Sequence, residues 1–555
     1  MARNILFIMC DQLRADYLSC YGHPHLHTPN IDALAARGVR FERAFVQSTI
    51  CGPSRMCTYT GRYMRSHGST QNGVPLKVGE MTLGDHLRPL GVRTALVGKT
   101  HMVADSEGME RLGIDPASII GVHVSECGFE PYERDDGLHP DGPYSPDPAY
   151  DNYLRAQGFD AENPWEHWAN SGQAEDGSLQ NGWLLSHADK AARVPEEHSE
   201  TPYMTRRAMQ FMAEAKADGS PWCLHLSYIK PHWPYIVPAP YHAMYGPDQV
   251  LPVRRSAAEQ TNPHPILAAF QAERYSQVFN RDGARERVIP CYMGLIKQID
   301  DQLGHLFAFM DREGLADETM IVFTSDHGDY LGDHWLGEKY LFHDASVRVP
   351  LIIADPSPQA DPTRGTVSGA LIETIDLAPT FVEAMGGTPA AHILEGRSLV
   401  PLLHGTADDT GRRHVISEYD YAFDLARINL SVPVPEARLY MVHDGRFKFI
   451  HADGFAPMLY DLETDPDEFA DLGRDPALQP VRDRLYEALA KWSRTTRTQT
   501  TLPDEAITGS DARALVYDVN IEAGVLVGYW DEAELAAERL KARLFHDGRS
   551  TPGAD

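Results

Sequence analysis

Cys51-Gly52-Pro53-Ser54-Arg55-Met56-Cys57-Thr58-Tyr59-Thr60-Gly61-Arg62 sets a thiol just ahead of a proline, with an arginine one turn further on. Pro53 suits the first position of a helix, because the N–H it lacks has no intrahelical partner there. The free N–H groups of that first turn, together with Arg55, predict a socket for a tetrahedral oxyanion.

Outward from this helix start, apolar runs of five to seven residues alternate with helical patterns. That alternation predicts an α/β fold with a large, mostly parallel sheet covered by helices on both faces. Asn4–Met9 reads as a buried strand, as do Thr94–Val97, Trp222–Tyr228 and Met320–Thr324. Thr28 caps a helix with Pro29 first inside and Gly38 just past its end. A longer helix, from about Met293 to Arg312, lines up Leu295, Ile296, Ile299, Leu303, Leu306, Phe307 and Met310 on one stripe. Each strand is followed by titratable or cationic groups: Asp11, Lys99 and His101, His232, Asp326 and His327. In open α/β sheets ligands bind at that edge, so these segments predict one site built from several loops.

Residues 1–430 are expected to form the catalytic domain, with a long insertion at about 102–220 near the site mouth. Residues 431–500 predict a small α+β domain: a hairpin turning at Asp444-Gly445, the strand Met458–Leu462 and a helix near Pro480–Trp492. Residues 501–555 form a tail whose pattern Glu532–Phe545 is helical, a candidate oligomerisation element. Tyr132, Tyr144, Trp165, Trp168 and Trp183 of the insertion are either half-buried packing or a stacking surface for an aryl group.

With 555 residues the chain exceeds one ordinary hydrophobic core, and 43% apolar and 23% charged residues are ordinary values for a soluble enzyme. A formal charge of −29 argues against nucleic acid or an anionic membrane as partner. An acidic protein that binds an anion must gather cations locally. The N-terminal apolar run stops at Asp11, too short for a signal sequence, and no stretch approaches the roughly 18 residues of a membrane span. Seven scattered cysteines, an odd number without a Cys-x-x-Cys pair, disfavour a disulfide framework and point to the cytoplasm. Six of them, all but Cys51, read as small buried hydrophobes.

The Cys51 stretch resembles the type I sulfatases of the alkaline phosphatase superfamily, in which Cys-x-Pro-Ser-Arg-x-x-x-x-Thr-Gly-Arg signals oxidation of the cysteine to formylglycine. All seven specified positions are present. The resemblance implies an alkaline phosphatase-like fold, a maturase or formylglycine-generating enzyme as partner, and Cys51 as precursor of the nucleophile. The hydrated aldehyde attacks sulfur through one hydroxyl and expels sulfate through the other, an exit that plain cysteine lacks.

By the same resemblance Asp11, Gln12, oxidised Cys51, Asp326 and His327 would hold one divalent metal. Oxygen donors suit calcium first, the imidazole brings in manganese, and magnesium is a further alternative. Gln12 departs from the aspartate common at that position, which lowers the ligand charge. Arg55 would hold the formylglycine and sulfate, and Asp326 would serve as base. Lys99 would bind sulfate, His101 would assist the second hydroxyl, and Asn72 would add a sulfate contact. His232, after Lys230-Pro231, and Lys339 would face the leaving group.

The expected function is therefore hydrolysis of small aryl sulfate-like monoesters. The alternative is phosphonate monoester or phosphodiester hydrolysis, because Asp11-Gln12, Asp326-His327 and Pro240-Tyr241-His242-Ala243-Met244-Tyr245 also resemble the phosphonate monoester hydrolases. Those carry smaller or uncharged groups where Lys99 and His101 stand, which favours sulfate. A homo-oligomer, dimer or tetramer, is expected from the tail.

Overall fold

The computed structural model describes residues 2–139, 148–504, 524, 526 and 528–546. They belong to two compact units, 1–389 with 396–496, and 390–395 with 497–555. In the second unit a helix spans Glu532–His546, one residue past the expected pattern, and Arg497 pairs with Asp504. Tyr144 and most of the 501–555 tail lie outside the described residues.

The first unit is built on a large mixed sheet. Its strands are β1 (Asn4–Asp11), β2 (Val39–Phe45), β3 (Arg93–Gly98), β4 (Glu130–Arg134), β5 (Trp222–Pro231), β6 (Thr319–Ser325), β7 (Arg348–Ala354), β8 (Thr366–Ser368) and β9 (Ile372–Glu373). Their order is β8-β2-β7-β6-β1-β5-β3-β4, with β9 also on β2. The five strands from β6 to β4 run parallel; β7 is antiparallel to both β6 and β2. β1, β5 and β6 are buried along their whole length, which accounts for near-continuous apolar runs without alternation.

The period-2 geometry of β1 divides its side chains between two cores. Leu6, Ile8 and Cys10 pack into a cluster with Leu295, Ile296, Ile299 and Leu303 of the long helix. Phe7 faces the other way, stacking on His225 at 4.4 Å and meeting Phe381 edge-on at 5.3 Å. The long helix spans Ala284–Arg312, nine residues earlier than expected, and it runs through Pro290. Polar residues in its first turns hide the apolar stripe from periodicity, although Val288 and Ile289 are buried.

Two elements of the expected insertion belong to the main fold instead. β4 extends the sheet beside β3, and the helix Glu200–Asp218 buries Ala208, Phe211, Met212 and Ala215 against the same core as the long helix. The irregular part between them holds a five-residue π-helix at Trp165–Ala169 and a short hairpin, Ser171–Gln173 with Leu179–Asn181.

A separate antiparallel sheet follows toward the C-terminus: Val415–Asp420, Arg438–His443, Phe447–Ala452 and Met458–Asp461, with the helix Gln479–Thr495 on it. Its first strand precedes residue 431. The hairpin turns where expected, with Gly445 at φ 98°. Leu459, Phe449, Leu485 and Leu489 of this layer share a cluster with Cys57, Tyr63 and Met64, so the sheet is packed beside the Cys51 helix.

The core holds neutral histidines that make stability pH-dependent. Burial lowers His225 to about 3 and His67 to about 3. Below the ordinary value near 6.5 the unfolded chain takes up a proton at each position while the fold refuses it. Stability is therefore complete above pH 6.5 and declines as pH falls toward 3, by up to about 1.4 kcal/mol per pH unit for each histidine. Urea midpoints at pH 8, 6 and 5 should fall in that order, and His225→Gln should flatten the fall. Equal slopes in the two proteins would contradict the assignment.

Candidate functional site

Because β6, β1, β5 and β3 are adjacent and parallel, their C-terminal ends deliver Asp326-His327, Asp11-Gln12, His232 and Lys99 to one edge. The helix Cys51–Thr60 enters there, and every residue in it is buried. Its first residue is Cys51, not Pro53. Pro53 stands third, which the first turn tolerates because none of those N–H groups has an intrahelical acceptor. Ile50 is the N-cap, and Gly61 closes the other end at φ 64°.

The predicted N–H socket is partly occupied. Asn72 Oδ1 accepts the Gly52 N–H at 2.9 Å, so the residue expected to touch sulfate also fixes the helix start. A Cβ at Gly52 would lie 2.9 Å from that oxygen, which explains the glycine.

Asp11, Cys51, Asp326 and His327 each present a ligand atom, all four within 4.8 Å of one another and all buried. Cys51 Sγ lies 3.0 Å from His327 Nε2 and 3.9 Å from Asp11 Oδ1. His327 Nε2 lies 3.7 Å from Asp11 Oδ1 and 3.6 Å from Asp326 Oδ1. His327 Nδ1 is held by the Gly328 carbonyl at 2.9 Å, which leaves Nε2 as the atom facing the cluster. Two buried carboxylates and an imidazole converging on one point fit a divalent ion. Gln12 adjoins the cluster through its backbone N–H, which donates to Asp326 Oδ1 at 3.0 Å, while its Oε1 accepts from Lys339 Nζ at 3.0 Å and its Nε2 donates to Asp329 at 2.5 Å.

Cations surround this set. Lys99 Nζ pairs with Asp11 Oδ2 at 2.5 Å. Arg55 Nε donates to Asp326 Oδ2 at 2.8 Å, and its remaining nitrogens reach Asp11, the Lys99 carbonyl and Ser227. Lys339 Nζ sits 3.2 Å from Cys51 Sγ and 3.3 Å from His232 Nε2. His101 has φ 55°; its backbone N–H and that of Thr100 donate to Asp136, and its Nδ1 is buried without a protein partner.

These contacts set the charge states. Burial alone would raise the Cys51 thiol, yet Lys339, His327 and Lys99 together pull it well below the ordinary value. Burial and Cys51 press Asp11 upward, but Lys99, His232 and Arg55 hold it below the ordinary carboxylate range. Burial leaves His232 neutral, down at about 4, while its Nδ1 faces the Trp233 carbonyl at 2.7 Å. Against its burial, Lys339 is raised by Cys51 and Glu338, so the ammonium form persists.

The structure brings all the expected residues to this edge and adds three that motif reading missed. Asp329 accepts from Gln12 and from the Tyr235 hydroxyl at 2.6 Å. Asp136 fixes the backbone of the Lys99-to-His101 turn. Glu338 lies buried beside Lys339. Asp329 and Glu338 stand within three residues of recognised positions, a usable signal; Asp136 has none. Among the insertion's aromatics, Trp183 tilts against Trp233 at 5.8 Å, and Trp233 against His232 at 4.4 Å. Trp165 is buried behind Trp183, and Tyr132 packs on Phe211.

A family model described as Sulfatase matches residues 3–387, and one described as N-sulphoglucosamine sulphohydrolase, C-terminal, matches residues 332–495. The multifunctional alkaline phosphatase superfamily protein PehA of Trinickia caryophylli is 32% identical over 512 residues, 88% of this chain and 95% of that protein. A choline-sulfatase of Rhizobium meliloti is 26% identical over 484 residues, 85% of this chain and 83% of its own length. The crystal structure of the phosphonate monoester hydrolase of Agrobacterium radiobacter superposes with a TM-score of 0.76 at 29% identity, covering 90% of this chain and 97% of that one.

Proposed function

We propose that this chain, which belongs to the sulfatase family, cleaves aryl sulfate-like monoesters with a formylglycine nucleophile made from Cys51. Family membership and the alkaline phosphatase-like fold make it a hydrolase of sulfate esters. The observation that carries the proposal is the position of Cys51. One wholly buried side chain touches the acidic His327–Asp11 set on one side and the cationic Lys339 on the other.

In this reading Asp11, Gln12, oxidised Cys51, Asp326 and His327 would hold one divalent ion, calcium first, with manganese or magnesium as alternatives. When bound, the ion neutralises charge on the sulfate oxygens. Oxidised and hydrated, Cys51 supplies one hydroxyl to attack sulfur and a second to release sulfate. Asp326, fixed by Arg55, accepts the proton of the attacking hydroxyl. Arg55, Lys99 and Asn72 orient the anion, and His101 draws the proton of the second hydroxyl. Lys339, held as ammonium beside neutral His232, protects the departing oxygen from developing a full negative charge. Trp233 and Trp183 extend outward from His232 as an aromatic wall for the alcohol half.

Conversion of Cys51 requires a maturase or formylglycine-generating enzyme. No two of the seven cysteines are joined by a disulfide, which supports our reading of a cytoplasmic location. No described helix is long and apolar enough to cross a membrane. We also assign the four-stranded antiparallel sheet, from Val415 onward, with its helix to a small C-terminal layer and the tail to a homo-oligomeric contact.

Phosphonate monoester and phosphodiester hydrolysis is the second reading, favoured by Gln12 and by the similarity to the Agrobacterium enzyme. Parallel kinetics on 4-nitrophenyl sulfate and 4-nitrophenyl phenylphosphonate decide between them. The sulfate should have the higher kcat/KM, because phosphonate monoester hydrolases carry smaller or uncharged groups where Lys99 and His101 stand. A higher value for the phosphonate reverses the order.

A further inference from the structure

Lys339 reaches the reaction centre on a segment where left-handed non-glycine residues cluster. Leu331, His334, Trp335, Glu338 and Tyr340, none of them glycine, have φ of 49°, 55°, 62°, 62° and 93°. Non-glycine residues adopt such angles at a cost, and they cluster where geometry serves function. Consecutive side chains of an extended strand point to opposite faces. Here the left-handed turn at Glu338 brings its carboxylate back to the ammonium of the next residue, Oε2 to Nζ 3.8 Å.

Both side chains are buried, Glu338 at 6% and Lys339 at 5% exposure. A buried carboxylate at the edge of a site built for anions weakens substrate attraction, so its presence needs a compensating role. The partners of Nζ supply one. It touches Gln12 Oε1 at 3.0 Å, Cys51 Sγ at 3.2 Å and His232 Nε2 at 3.3 Å. Neither Gln12, an amide, nor His232, an imidazole, can supply a negative charge to offset the ammonium. Cys51 carries negative charge only while it keeps its sulfur, and oxidation replaces the sulfur with a neutral group. Among the described residues, Glu338 then holds the one carboxylate within 4.0 Å of Nζ.

We propose that Glu338 is a positioning residue for Lys339, holding the ammonium over the Cys51 side chain and beside His232 once maturation has removed the thiolate. At 3.8 Å the contact is an ion pair rather than a hydrogen bond, so the carboxylate acts on Nζ through its charge. Its role rests on Lys339 serving the leaving group, as read above.

The test uses the full-length matured enzyme and aryl sulfates of rising leaving-group pKa, from 4-nitrophenyl to phenyl sulfate. Glu338→Gln should lower kcat on phenyl sulfate about tenfold, leave KM within about twofold, and affect 4-nitrophenyl sulfate less. Glu338→Asp, with shorter reach, should lie between. The double variant Glu338→Gln/Lys339→Ala should be no slower than Lys339→Ala alone, because the first residue acts only through the second. A loss equal across the series, or one that multiplies with that of Lys339→Ala, overturns the inference. If Lys339→Ala itself leaves the leaving-group dependence unchanged, the reading of Lys339 fails, and the positioning role with it.

Discussion

Cys51→Ala should lose kcat/KM toward aryl sulfate by a factor on the order of 10⁴ or more, with the fold intact. The side chain is wholly buried, but truncation removes only its terminal functional group and leaves the carboxylates and cations around it paired with one another. The stability cost should be about 1 kcal/mol, typical of a small buried truncation. Cys51→Ser makes a sharper comparison. A serine hydroxyl in the same place can accept the sulfuryl group but has no second hydroxyl to expel it. One equivalent of phenol or less should then be released as a burst before turnover stops. The wild-type peptide containing Cys51 should have lost sulfur by mass spectrometry, in proportion to specific activity. Full activity with an intact thiol, or steady turnover by the serine variant, would remove formylglycine from the mechanism.

Much of this site is legible in sequence because parallel strands deliver their following residues to a common edge. Asp11, Lys99, His232 and Asp326 sit directly after apolar runs, so sheet topology alone brings them together. The groups that organise them are harder to read. Asp136 works through a carboxylate accepting two backbone N–H groups, a contact that leaves no periodic or motif signature. Glu338 is visible only through its neighbour, and its function depends on a left-handed backbone angle that composition does not announce.

The edges of the insertion are hard to read in sequence for a related reason. β4 is an edge strand of five residues, Glu-Pro-Tyr-Glu-Arg, and its half-exposed, charged character looks like loop. Its pairing with β3 comes from tertiary context, including the Arg93–Glu130 ion pair across the two strands. The helix Glu200–Asp218 carries a proline in its first turn and many polar residues, so its buried stripe of Tyr203, Met204, Ala208, Phe211, Met212 and Ala215 is masked in sequence.

Arg55→Ala should be the most destabilising single change at the site, by about 3–5 kcal/mol in a metal-free protein. The guanidinium is fully buried and gives 2.8 Å to Asp326, 3.4 Å to Asp11, 2.9 Å to the Lys99 carbonyl and 2.7 Å to Ser227. Removing it strands two carboxylates in a dry interior, with Lys99 and His327 as the remaining basic groups within 4.0 Å among the described residues. Arg55→Lys restores the charge but not the fork, so a single ammonium cannot serve Asp326 and Ser227 in their present positions. It should recover part of the stability and little of the activity. A bound divalent ion would replace some of the missing positive charge, and an ion that binds only the folded state stabilises it by mass action. Added calcium should therefore raise the unfolding midpoint of Arg55→Ala more than that of the wild type, and chelator should widen the gap between them. If the variant unfolds at the wild-type midpoint in chelator, Asp11 and Asp326 are not the uncompensated pair that the metal assignment requires. Their convergence with His327 would then need another explanation.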